Sequence, residues 1–230
     1  VKTRPILYND EMVRAILAGT KTQTRRPVNM PGLNYIGPSG CVDDPEAWGY
    51  EVDDGYMVLA RGHNGPLTHS ISCPFGVVGD RLWVRESALV CDIRDSGHQG
   101  RDEYVRLKYR ADGAQTDWLP WPERLKPPTL GHCVANGVFR EGARLIQGIT
   151  AIRVERLQEI DERNSIQEGF AELWGPFNTI AVSARNNFAD TWDAIYGGVD
   201  TKTQKPRWSG WAQNPFVWVI ETKVISLTTT

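Results

Sequence analysis

Gly19-Thr20-Lys21-Thr22-Gln23-Thr24-Arg25-Arg26 places one primary amine, three hydroxyls and two guanidiniums in eight consecutive residues, with no hydrophobic side chain among them. Guanidiniums such as Arg25 and Arg26 suit a phosphate or a base carbonyl. A threonine hydroxyl attacks a carbon centre only when a base takes its proton. A segment with so little to bury must, if ordered, place its polar groups against partners, and a ligand is one candidate partner. The other reading is a solvated turn running into an edge strand, because Thr suits strands and Lys and Arg blunt exposed edges.

A second group lies at Arg81-Leu82-Trp83-Val84-Arg85-Glu86, entered through a Gly79-Asp80 turn. Alternation puts Leu82 and Val84 on one strand face and Arg81, Trp83 and Arg85 on the other. Trp83 between two arginines reads either as an exposed stacking platform for a base or as a tryptophan whose rim the arginine stems cover.

The elements that must position these residues are legible in outline. Arg4–Tyr8 reads as a short strand with Pro5 near its start. Asn9 or Asp10 caps a helix that buries Met12, Val13, Ala15 and Ile16 and ends with Gly19 just past its C-terminus. Ile149–Leu157 alternates as a strand. A helix is expected over Glu162–Leu173 and another from Ser183 to Gly197. Pro215 opens a final strand, Phe216–Glu221, whose continuous apolar run predicts cover on both faces. Residues 28–72 and 87–148, rich in Gly, Pro, Asn and Asp, read as two long irregular insertions, with a strand at Tyr56–Ala60 and a hairpin arm at Val105–Arg110. The fold class is α+β, built as one domain over residues 1–230 around a small curved sheet or barrel.

Composition sets further bounds. The chain has 230 residues, 40% of them hydrophobic, and a net charge of −2. That balance argues against indiscriminate nucleic-acid binding. Residues 1–27 carry six basic side chains against two acidic ones, whereas residues 28–60 carry six acidic and no basic ones. No apolar run is long enough to span a bilayer, and Val1–Tyr8 lacks the apolar stretch of a signal peptide, so a cytoplasmic location is expected. The four cysteines form no Cys-x-x-Cys pair, and His63, His69, Cys73 and His132-Cys133 fit no standard metal spacing. No metal or other cofactor is expected.

Four blocks in order resemble an ASCH domain, and more closely the longer ASCH-type proteins of phages and prophages. They are Ile16–Arg26, Gly79–Glu86, Val154-Glu155-Arg156-Leu157-Gln158-Glu159-Ile160 and Pro215–Glu221. The resemblance implies a PUA-like barrel of five or six mixed strands with surrounding helices, in the host cytoplasm if phage-encoded. It also implies nucleoside or RNA chemistry, since small bacterial members hydrolyse the exocyclic amide of N4-acetylcytidine with a Lys and a Thr of the first block and a later Glu. Those positions correspond to Lys21, Thr24 and Glu168 here. Thr22, Arg25, Arg26, Trp83, Arg85 and Glu86 are then the substrate-contact candidates, and a nucleoside, a nucleotide or single-stranded RNA is the expected partner. Other ASCH proteins are treated as RNA-binding modules or ribonucleases, so both stand as alternatives. This chain departs from the small enzymes in its greater length and in Arg25, which stands where they have an apolar residue. It also has Phe139-Arg140-Glu141-Gly142-Ala143-Arg144 where longer members often have Pro-Arg-Trp-Ala-Ser-Arg.

Two chemical arrangements follow. If Lys21 and Glu168 touch, the carboxylate holds the amine protonated, Glu168 is the base and Lys21 polarises the carbonyl. If Lys21 is desolvated without a charged partner, it can itself be the base. Residues three apart on a regular strand point to opposite faces, so Lys21 and Thr24 converge only if Lys21 precedes the strand or the strand is bulged.

Overall fold

The structure is a computed structural model that describes residues 1–28, 48–53, 56–61, 69–95, 103–176, 179–199, 201, 207 and 209–227. Strand β1 (Thr3–Leu7) leads to helix α1 (Asp10–Leu17) and strand β2 (Gln23–Pro27). Strands β3 (Trp48–Asp53), β4 (Tyr56–Arg61), β5 (His69–Ser72), β6 (Arg81–Arg85), β7 (Ala88–Asp95), β8 (Glu103–Tyr109) and β9 (Leu119–Pro120) follow. The chain then forms β10 (Leu145–Arg156), α2 (Glu162–Gln167), β11 (Leu173–Trp174), β12 (Ile180–Val182), α3 (Ala184–Tyr196) and β13 (Phe216–Leu227). The class is α+β, and no sheet closes into a barrel among the described residues. Contacts divide the chain into two units interleaved in sequence.

The first unit comprises Val1–Thr20, Gly79–Gly148 and Lys223–Thr230. Here β1 runs parallel to β6, pairing Thr3 with Arg81 and Leu7 with Arg85, and β6 pairs antiparallel with the start of β10. Helix α1 begins where the Asn9 side chain accepts from the Met12 N–H, and it buries Val13 and Ile16, with Met12 and Ala15 half-buried. Gly19, at φ +76, takes the left-handed position that a Cβ disfavours. Residues 87–148 are not simply irregular. Strands β7, β8 and β9 form an antiparallel sheet, and its inward side chains Val90, Val105, Leu107 and Tyr109 pack with Val134, Val138 and Phe139 as a core of their own. The alternation of Glu103–Tyr109, broken by charged Arg106 and Lys108 on the outer face, is what a half-buried strand needs.

The second unit comprises Lys21–Val78 and Ile149–Thr222. Strand β2 pairs antiparallel with β13, Gln23 opposite Glu221 and Val217 opposite Pro27. Phe216–Ile220 is buried throughout, as the unbroken apolar run predicts. The described part of residues 28–72 contains an antiparallel meander, β3-β4-β5, rather than only loop. Leu157, Ile160, Phe188, Trp192, Val217 and Val219 form the unit's hydrophobic cluster.

Both helices of this unit are held at their N-termini by carboxylates. Asp161 accepts from the Asn164 N–H at the start of α2. The expected helix over Glu162–Leu173 stops at Gln167, because the chain turns at Glu168-Gly169 with Gly169 at φ +94 and the Gly169 and Phe170 N–H groups fold back onto the last turn. Helix α3 starts at the Ser183 cap, and the Glu162 carboxylate accepts from the Ala184 and Arg185 N–H groups at 2.6 and 3.1 Å. Glu162 thus ties the first turn of α2 to the first turn of α3 through two otherwise orphaned donors. Glu162→Ala is expected to lower the unfolding free energy by about 1–2 kcal/mol in urea titration, while Glu162→Gln loses less because an amide oxygen still accepts.

Candidate functional site

Lys21 and Glu168 meet in the second unit. The turn before β2 is fixed by main-chain bonds on two sides: the Thr22 N–H donates to the Gln167 carbonyl and the Thr222 N–H to the Thr22 carbonyl, each at 2.8 Å. Lys21 therefore lies ahead of the strand, beside the C-terminus of α2. Its ammonium donates to the Gln23 and Glu168 carbonyl oxygens at 2.7 Å and to the Glu168 carboxylate at 2.9 Å. Three acceptors match the three N–H bonds of the charged form. They also satisfy a carbonyl that the end of α2 leaves without a helical partner.

Glu168 accepts a second cation. Arg25 Nη1 donates to its other carboxylate oxygen at 3.1 Å, while Arg25 Nε and Nη2 both grip Glu155 Oε1. Arg153 then bonds Glu155 Oε2 at 3.2 Å and Glu221 Oε1, and Gln23 Nε2 closes on Glu221 at 3.3 Å. Three cations and three carboxylates alternate along this ladder. Its inner rungs are sealed: Lys21, Arg25 and Glu168 are at most 3% exposed. Its outer rungs are open, with the Arg153 and Glu221 side chains 38% and 37% exposed.

Strand alternation divides the predicted residues. Arg25 Nη1 also reaches the Gln23 side chain at 3.4 Å, as two residues apart on one face can. Arg26 Nη1 reaches the Thr24 hydroxyl at 3.0 Å on the other face. Thr24, fully buried, accordingly turns away from the face that carries Arg25 and Glu168. Arg25, read from sequence as a substrate contact, is 1% exposed and spends its donors on Glu155, Glu168 and Gln23. The Thr22 side chain is exposed.

Trp83, Arg85 and Glu86 belong to the first unit. Trp83 is half-buried, with the Arg85 guanidinium 6.0 Å from its ring centre. Glu86 is fully buried and takes a two-pronged pair from Arg144, whose other face grips Asp112 and which stacks 4.0 Å over Tyr109. Burial pushes the Glu86 carboxyl above its usual range against the pull of Arg144, and the Arg144 hydrogen bond holds Asp112 below its own. Glu86 has its partner within the fold, which leaves it anchoring β6 against the loop after residue 139.

Glu155, Arg153 and Glu221 were not singled out from sequence. Their signal was there in weak form: Arg153 and Glu155 share a face of β10 by alternation, and Glu221 ends the apolar run of β13. Nothing local tells that Arg25 lies opposite them.

The Lys21–Glu168 contact meets the condition of the first arrangement, whereas the second required a lysine without a charged partner. Burial pulls its pKa below the ordinary lysine value, the Glu168 carboxylate pushes it back up, and Arg26 and Arg25 add to the lowering. The amine is paired as well as desolvated, and its three acceptors match the charged form. No protein-family model, curated protein or solved structure matches this chain.

Two outcomes are expected. Because the folded pKa of Lys21 is depressed, the burial cost is present in full below that value and is relieved as pH rises toward 10.5, where the unfolded chain loses its proton. In denaturant titrations from neutral pH to 10.5, wild-type stability should therefore rise relative to Lys21→Met. In the first unit, Arg144→Met strands a buried carboxylate and should cost about 3–5 kcal/mol, with Glu86→Gln/Arg144→Met losing less than the single change.

Proposed function

We propose that this chain is an ASCH-type hydrolase with a PUA-like core, acting on the exocyclic amide of an N4-acylated cytosine in a nucleoside, nucleotide or single-stranded RNA. The observation that carries this reading is the sealed Lys21–Glu168 pair, made by residues 147 positions apart in sequence. A buried ion pair of this kind is poor value as a stabiliser, because both ions are desolvated. It is what amide hydrolysis requires: a cation for the developing oxyanion and a carboxylate to move protons.

In this reading a water attacks the amide carbonyl carbon as Glu168 takes its proton. Lys21 donates to the carbonyl oxygen, which becomes the oxyanion. Glu168 then returns the proton to the exocyclic nitrogen, the C–N bond breaks, and the cytosine amine and a carboxylic acid leave, the acid losing its remaining proton to solvent. The strand alternation favours water over Thr24 as the attacking group, with Thr24 and Arg26 holding the back of β2.

A second reading draws on the same geometry. Every N–H of Lys21 and both oxygens of Glu168 are occupied within the fold, so turnover requires Lys21 to exchange one of these bonds for the substrate, whereas a rigid pair that only supports a base-recognition site requires no exchange.

Incubation with N4-acetylcytidine, followed by ultraviolet absorbance and mass spectrometry, separates the two. The hydrolase reading expects acetate release that falls at least about 100-fold in Glu168→Gln and far less in Thr24→Ala. Wild-type binding without acetate release establishes the recognition module instead.

A further inference from the structure

The residue that sets this chain's site apart is Arg25. It is among the largest fully buried side chains of the molecule, yet it touches no solvent through which a substrate could reach it. Its guanidinium is divided by direction: the Nε and Nη2 edge lies on Glu155 Oε1, and Nη1 points to Glu168 Oε1 and Gln23 Oε1. Glu168 is thereby held by both oxygens, Oε1 on Arg25 and Oε2 on Lys21. A carboxylate on a flexible stem, held at one oxygen only, can rotate about its terminal torsions. Held at two oxygens by donors from separate places, it cannot turn without breaking one of them.

We propose that Arg25 is a positioning residue: clamped by Glu155, it fixes the plane of the Glu168 carboxylate so that one oxygen stays on Lys21 and the pair keeps its working geometry. As a statement about catalysis this rests on the hydrolase reading; as a statement about the pair it does not. Only the planar fork of arginine can do it, since the Glu155 and Glu168 oxygens are approached from different edges of one rigid group. Lysine supplies the same charge from one nitrogen and cannot present two separate edges of a rigid plane. Glu155 is itself steadied on its second oxygen by Arg153. The side-chain ion pairs therefore reach from the open rim of the ladder to the sealed carboxylate through Arg25.

The two roles open to a buried cation predict opposite results at Lys21. Were Arg25 only a neighbouring positive charge, it would disfavour the Lys21 ammonium, so Arg25→Met would raise the Lys21 pKa and Arg25→Lys would leave it unchanged. With Arg25 positioning Glu168, both substitutions release the carboxylate from Lys21 and the Lys21 pKa falls in both.

The experiment is a pH titration of lysine side chains by NMR on the full chain labelled with 13C and 15N lysine, with the Lys21 signal assigned by its absence in Lys21→Arg. A fall of the Lys21 pKa in Arg25→Lys, the milder change and the one that keeps the cluster's charge, supports the proposal. An unchanged value overturns it, as does a rise in Arg25→Met. If Arg25→Met does not fold, Arg25→Lys decides alone. Where N4-acetylcytidine is turned over, both variants should lose about tenfold or more in kcat with KM within about threefold of wild type, since Arg25 does not touch substrate. A loss carried by KM instead overturns the positioning role. Absence of turnover in the wild type counts against the hydrolase reading only, and the Lys21 titration then still decides the role of Arg25.

Discussion

The carboxylate of Glu168 is shared between an ammonium and a guanidinium with almost no water near any of the three. Much of the second unit is arranged so that this can hold. The chain must turn at Glu168-Gly169 for α2 to end there. The Thr22–Gln167 main-chain bond must set Lys21 ahead of β2 rather than on it. The pairing of β2 with β13 must place Gln23 and Arg25 toward the charged side chains of β10. Each of these is a backbone constraint that serves a side-chain electrostatic need. The direction of dependence is physical: a buried ion left without its counterion costs several kcal/mol, whereas a loop that is a residue longer or shorter costs tenths.

The first unit solves the same problem separately. Arg144 answers Glu86 there as Arg25 and Lys21 answer Glu168, and again a guanidinium spans a sealed carboxylate and a more open one, Asp112. Tyr109 beneath the Arg144 guanidinium gives its hydroxyl to the Gly142 carbonyl, so that ring is fixed at both ends. The two clusters differ in length. That of Glu86 joins β6, the β8 turn and the loop before β10 through one guanidinium and ends at Asp112, whose side chain is 36% exposed, whereas that of Glu168 runs through three cations before it reaches Glu221 at 37%.

What the sequence made legible follows from range. Caps and turns depend on a few neighbouring residues, and Asn9, Gly19, Ser183 and Gly197 mark the ends of α1 and α3 as observed. Alternation over Arg81–Arg85 and the apolar run of Phe216–Ile220 marked strands with their buried faces. The end of α2 was misplaced because the apolar residues beyond Gln167 continue a helical spacing that Gly169 interrupts. Residues 87–148 read as largely irregular because their turns are rich in Gly and Asp and their core forms between segments distant in sequence, and the strand expected at Tyr56–Ala60 lies in a three-stranded meander. The site was legible in its members but not in its wiring. Lys21 and Glu168 were named together, yet Arg25 was assigned to a ligand because no local feature places Glu155 opposite it. The separation of Thr24 from Glu168 did follow from the two-residue period, once Lys21 was known to precede the strand.

The gradient of exposure along the ladder has a consequence for how the protein meets its ionic surroundings. Mobile ions approach the Arg153–Glu221 rung but not the Lys21–Glu168 rung. At roughly 1 M salt, where the screening length shrinks to about 3 Å, the outer rung loses most of its attraction while the inner one keeps its own. Dissolved salt therefore acts on this network from one end only. It weakens the outer pair and leaves the inner one intact, so the two ends of one network answer to different properties of the medium.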